Sequence, residues 1–167
     1  LEASRIVNNE IIYNNERGNL TDAVSSICHA WMDSINSHKL VEIHAEKVVF
    51  GFADIKYLKK VLYVLFDNAH ELAPGIPISM TIRSRMNSVI IDIADKGPGI
   101  PPDDIATIFE PFNKARGDSG NRKSGLGISL FIARSHIEGM GGSIDVYSRK
   151  GEGTTFSIIL TACEEND

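Results

Sequence analysis

The chain has 167 residues, 43% hydrophobic and 23% charged, with a formal net charge of −5. That balance suits one soluble globular domain and argues against nucleic acid or an anionic membrane as the main partner. No apolar run approaches the roughly 18 residues that span a bilayer, and no secretory leader is evident. Cys28 and Cys163 are far apart, without a CxxC or Cys/His spacing, so they read as free thiols of a cytoplasmic domain. Because the chain begins with Leu1 rather than Met, a longer parent protein is expected.

Residues 1–16 are polar, with apolar Ile6, Ile11 and Ile12, and read as the end of a helix belonging to a preceding domain, broken at Gly18 and Asn19. Thr21 or Asp22 is expected to cap a helix through Val24, Ile27, Cys28, Trp31 and Ile35. Two short alternating stretches, residues 41–44 and 48–52, read as strands. Asp54 is a plausible N-cap for a long helix with apolar Ile55, Leu58, Val61, Leu62, Leu65, Phe66, Ala69 and Leu72, stopped by Pro74 and Gly75. Residues 78–85 and 89–94 read as a hairpin turning near Asn87. Residues 95–125 form a long Gly/Pro/Asp-rich loop with one short helical turn, a feature that is usually functional in a compact domain. A helix over 127–138 and strands over 143–148 and 154–161 complete the chain. The mixture predicts helices on one face of a mixed sheet.

Four places carry chemistry. Asn68 joins the apolar line of Val61, Leu65 and Leu72; it is either a structural amide or an oxygen ligand for a hard cation such as magnesium. Asp95 continues the parity of Val89, Ile91 and Ile93, so its carboxylate is aimed to the core side and needs a donor, such as the exocyclic amine of adenine. Gly97 and Gly99 beside it let the backbone approach a flat base, though a plain Gly/Pro turn reads the same. Gly125, Leu126 and Gly127 open a helix, as an ordinary start or as a phosphate site of free amides. Neither a GxGxxG following a strand nor a GKS or GKT occurs. Gly151, Glu152, Gly153 and Thr154 form a turn into a strand, where the Thr154 hydroxyl is placed to assist Asp95 directly or through water.

Together and in this order, these segments resemble the GHKL ATPase superfamily, its histidine-kinase branch most closely. Leu65, Phe66, Asp67, Asn68 and Ala69 look like the N box. Asp95, Lys96, Gly97, Pro98, Gly99 and Ile100 look like the G1 box. Ile108, Phe109, Glu110, Pro111 and Phe112 are similar to the F box. Gly125, Leu126, Gly127 and Ile128 match the G2 box, and residues 151–156 the last glycine box. The resemblance implies a Bergerat fold: a two-layer α/β sandwich with a mixed, mostly antiparallel sheet, helices on one face and a mobile ATP lid. The lid falls at residues 113–124, with Lys114, Arg116, Arg122 and Lys123 available for phosphates and Phe109 and Phe112 as its anchors. Residues 1–17 are then the tail of a dimerisation and phosphoacceptor helix, 18–163 the ATP-binding catalytic domain and 164–167 an acidic tail.

The implied function is transfer of the γ-phosphate of Mg-ATP to a histidine on a separate helical domain, for relay to a response regulator. The implied full-length kinase is a homodimer, with membrane anchoring compatible. Asp95 recognises adenine, Asn68 holds Mg²⁺, and the nucleotide-contacting set is Asn68, Glu71, Leu72, Asp95, Gly97, Gly99, Ile100, Lys114, Arg116, Lys123, Gly125, Leu126, Gly127 and Thr154. No phosphoacceptor histidine is expected among His29, His38, His44, His70 and His136. Val64 stands where hydrolysing members carry a glutamate, and valine cannot act as a base. Glu71 replaces a common lysine or arginine, and Leu72 a common aromatic residue. These departures keep open a degenerate regulatory module; an anti-sigma-type serine kinase of the same superfamily is the other alternative.

Overall fold

The computed structural model describes residues 2–112 and 127–164. A short helix, α1 (Glu2–Val7), leads through extended chain into strand β1 (Glu16–Asn19). The expected helix over residues 1–16 therefore stops early. Asn8 and Asn9 are poor helix formers, and Asn9 takes a left-handed φ of 54°. β1 pairs antiparallel with β3 (Phe50–Ala53) as a separate two-stranded ribbon. Helix α2 (Leu20–Ser34) is capped by Asn19, not by Thr21 or Asp22: the Asn19 side chain accepts from Asp22 N at 3.0 Å. Thr21 instead uses its hydroxyl to accept from Val49 N at 2.9 Å.

The main sheet has the order β2-β4-β5-β7-β6, from β2 (Val41–Ala45), β4 (Ile78–Arg85), β5 (Ser88–Asp95), β6 (Ser143–Arg149) and β7 (Gly153–Thr161). β2 runs parallel to β4 and every other pair is antiparallel. Alternation makes one face apolar: Ile78, Met80, Ile82, Val89, Ile91, Ile93, Phe156, Ile158 and Leu160 are buried. That face receives α2, the long helix α3 (Ile55–Leu72) and α5 (Ser129–Gly139). The other face is polar, and on it Asp92 bonds Arg83 at 2.9 Å and Ser157 at 2.6 Å. This is the expected two-layer sandwich with helices on one face.

Asp54 caps α3 as its spacing predicts, accepting from Lys56 N at 3.1 Å. The apolar stripe of α3 supplies much of the core, with Leu58, Val61, Leu62 and Phe66 fully buried. The loop after β5 contains one short helix, α4 (Pro102–Ile105). The expected lid, including Lys114, Arg116, Arg122 and Lys123, lies outside the described residues, as do Gly125 and Leu126.

Candidate functional site

Three adjacent strands end side by side. The register aligns Asp95 of β5 with Thr154 of β7, and Thr154 with Ser148 of β6. Asp95 is only 8% exposed, as its parity with Ile91 and Ile93 requires. Its Oδ1 accepts from Gly97 N at 2.8 Å. Burial raises the carboxyl above its ordinary value, against the backbone N–H groups of Gly97 and Thr154, which pull it down.

The loop leaving Asp95 is pressed onto the β6–β7 turn. Pro98 O accepts from Gly151 N at 2.7 Å, and Ile100 N donates to Ser148 Oγ at 2.8 Å. A Cβ on Gly99 would sit 2.0 Å from Arg149 O, and one on Gly153 would sit 2.0 Å from Asp95 O. Both residues also have positive φ, so only glycine fits at either place. A Cβ on Gly97 would meet Asp95 Oδ1 at 2.8 Å and Leu72 Cβ at 3.4 Å. The C-terminal end of α3 therefore abuts this loop.

Val64, Asn68 and Leu72 recur at four-residue spacing and share one side of α3. Leu72 reaches the Gly97 loop, which sets Asn68 one turn back along the same stripe. Asn68 is half-buried, and its amide makes no hydrogen bond among the described residues. Glu71 is exposed beside it. The adjacent Asp67 is engaged elsewhere, accepting from Trp31 Nε1 at 2.8 Å. His70 turns the same way, edge-on to Trp31 with centroids 6.0 Å apart, and its buried Nδ1 has no partner.

The start of α5 has no side-chain cap among the described residues. Gly127 has φ 67°, and Ile128 at the cap position provides no side-chain bond to the first amides. Those orphan N–H groups, with the positive end of the helix dipole, suit an anion. Phe109 packs edge-on to Phe156 at 6.1 Å with the Arg134 guanidinium 5.5 Å from its ring centroid. Phe112, by contrast, is 71% exposed at a φ of 63°.

The structure thus brings Asp95, Gly97, Gly99, Ile100, Leu72 and Thr154 together, with Asn68 one turn along α3. Ser148 was not singled out from the sequence. Its signal was there: Ile144, Val146 and Ser148 share a parity, so a polar residue ends an apolar line just as Asp95 does. No cluster of three or more His, Cys, Asp or Glu residues suited to a metal occurs among the described residues. Magnesium fits even so, because this ion needs few protein ligands when phosphates and waters supply the rest, and the unbonded carbonyl of Asn68 is one such oxygen.

A family described as histidine kinase-, DNA gyrase B- and HSP90-like ATPase matches residues 53–163, and the chain belongs to it. The sensor protein SrrB of Staphylococcus aureus strain NCTC 8325 is 38% identical over 118 residues, covering 70% of this chain and 20% of the relative. The chain thus spans about a fifth of the length of the curated relatives it matches. Among solved structures, the Acinetobacter baumannii histidine kinase AdeS superposes with a TM-score of 0.75 at 22% identity, over 98% of this chain and 75% of AdeS. Full-length ShkA in complex with AMPPNP gives 0.79 at 22% identity, over 97% of this chain and 34% of ShkA. At these identities the superpositions establish the fold.

Proposed function

We propose that this chain is the ATP-binding catalytic domain of a sensor histidine kinase. The observation that carries the reading is the buried Asp95 carboxylate, held by Gly97 N–H in a frame of glycines where no Cβ fits. A fixed acceptor beside a backbone that admits a flat ring selects a base with an exocyclic amine at that edge, which adenine has and guanine lacks. The α5 amides take the phosphates, Lys114, Arg116, Arg122 and Lys123 offset their charge, and Asn68 contributes an oxygen to Mg²⁺. When bound, the metal neutralises phosphate charge.

The reaction is phosphoryl transfer: the bond from the γ-phosphorus to its bridging oxygen breaks, a bond to an imidazole nitrogen forms, and ADP leaves. Such a reaction asks the protein mainly for positioning and electrostatics. Val64 leaves no base to activate water, which favours transfer over hydrolysis. The acceptor histidine belongs to a separate helical domain, and the phosphate then passes to a response regulator. The parent is a homodimer with this domain in the cytoplasm; no helix among the described residues is long and apolar enough to cross a membrane.

Incubation with γ-labelled ATP tests the reading. The chain alone should label none of its own residues, and label should appear on a helical domain carrying the phosphoacceptor histidine when one is supplied. Self-labelling of the isolated chain contradicts the two-domain scheme. The exposed Glu71 beside Asn68 favours a second reading, a silent regulatory module, which gains if neither binding nor transfer occurs.

A further inference from the structure

The hydroxyl of Ser148 is buried at the junction of three segments. It accepts from Ile100 N at 2.8 Å, donates to Gly153 O at 2.9 Å, and lies 2.8 Å from Thr154 Oγ1. A serine hydroxyl has one hydrogen and two acceptor sites. Since Gly153 O can only accept, the single hydrogen of Ser148 goes there, and the Thr154 hydroxyl must donate to Ser148. Every bonding site of this oxygen is then used. Ser148 thereby ties the end of the loop that starts at Asp95 to the strand pair that flanks Asp95, and it fixes the direction of the Thr154 hydroxyl.

We propose that Ser148 is a positioning residue for base recognition: it holds the Asp95–Ile100 loop at the height where the Asp95 carboxylate meets the exocyclic amine, and it leaves Thr154 as an acceptor on the base side. The inference rests on the nucleotide reading above. It assigns to Ser148 no contact with the nucleotide. Without the hydroxyl, Ile100 N–H and Gly153 C=O lose their shared partner, and the Thr154 proton is free to turn. The carboxylate keeps its Gly97 bond, but the loop that carries Gly97 loses its far anchor. The damage should therefore fall on discrimination between bases more than on phosphate binding.

Calorimetry with Mg-ATP and Mg-ITP, whose base carries a 6-oxo group in place of the amine, separates these effects. The wild-type chain should prefer ATP. Ser148→Ala should weaken ATP binding about tenfold and ITP binding much less, as expected for losing a buried hydrogen-bonding centre that serves recognition. Ser148→Thr, which keeps the hydroxyl, should recover most of the preference. Equal losses for ATP and ITP, or an unchanged ATP:ITP ratio, would overturn the proposal and leave Ser148 as a purely structural residue. If Ser148→Ala does not fold, Ser148→Cys takes its place. Its weaker acceptor should still lower the ratio, and a wild-type ratio there overturns the proposal equally. Failure of the wild-type chain to bind ATP would instead refute the nucleotide site itself.

Discussion

In the proposed reading, Asp95 is the residue on which base recognition turns. Burial raises its carboxyl, so the folded chain holds that proton more tightly than the unfolded chain does. Its contribution to stability is thus present below the ordinary aspartate value and is lost as pH rises through the raised folded value. Nucleotide binding has the opposite sign, because an amine donor bonds the ionised carboxylate more strongly than the neutral acid. ATP affinity should therefore fall on acidification through that same window. Asp95→Asn should bind ATP at least about tenfold more weakly, as for a lost charge-assisted hydrogen bond, and should lack this part of the pH dependence. Comparing the two proteins by calorimetry across the acid range cancels the titration of ATP itself. Identical pH profiles would remove Asp95 from the base site. This residue was legible in the sequence because strand parity is a local rule that carries straight to the strand's end. The same rule applies to Ser148, where the neighbouring glycine turn drew the attention instead.

At the scale of elements, the parts set by local pattern were readable and those set by distant pairing were not. The α3 stripe and its Asp54 cap, and the β4–β5 hairpin, follow from periodicity and turn chemistry. The β1–β3 ribbon joins residues more than 30 positions apart, and nothing within residues 16–19 announces it. The docking of the N-terminal segment was hidden for the same reason. His136 is fully buried on α5 with Nε2 3.2 Å from Glu2 Oε1; the carboxylate can only accept, so Nε2 donates, and in the neutral imidazole that burial favours Nδ1 accepts from the Tyr13 hydroxyl at 2.9 Å. Glu2 is also paired with Lys60 of α3. Tyr57 packs tilted against the imidazole, 4.6 Å between centroids at 39°. One chain of bonds therefore ties α1, the Tyr13 segment, α3 and α5 together. Tyr13→Phe removes only the hydroxyl and leaves the imidazole nitrogen buried without a donor. It should cost about 1–3 kcal/mol of stability by denaturant unfolding, with ATP affinity little changed. A variant as stable as wild type would show that the bond contributes nothing net.

For the whole molecule, the proposed reading puts base recognition on the sheet and phosphate handling on the helices. The sheet carries the Asp95 carboxylate, α3 carries Asn68, and α5 starts without a side-chain cap among the described residues. Each motif alone is weak because its residues answer to a local rule: Gly99 and Gly153 to close backbone approaches, Asp95 to strand parity and Asn68 to helical spacing. Selection of adenine nucleotide with magnesium is the central consequence of this arrangement. Calorimetric titration with ATP and GTP, with and without Mg²⁺, on wild type and Asn68→Ala, tests this most directly. Saturable ATP binding is predicted, stronger with magnesium, at least about tenfold weaker for GTP, and with most of the magnesium gain lost in Asn68→Ala. Absence of ATP binding, or equal affinity for ATP and GTP, would contradict it.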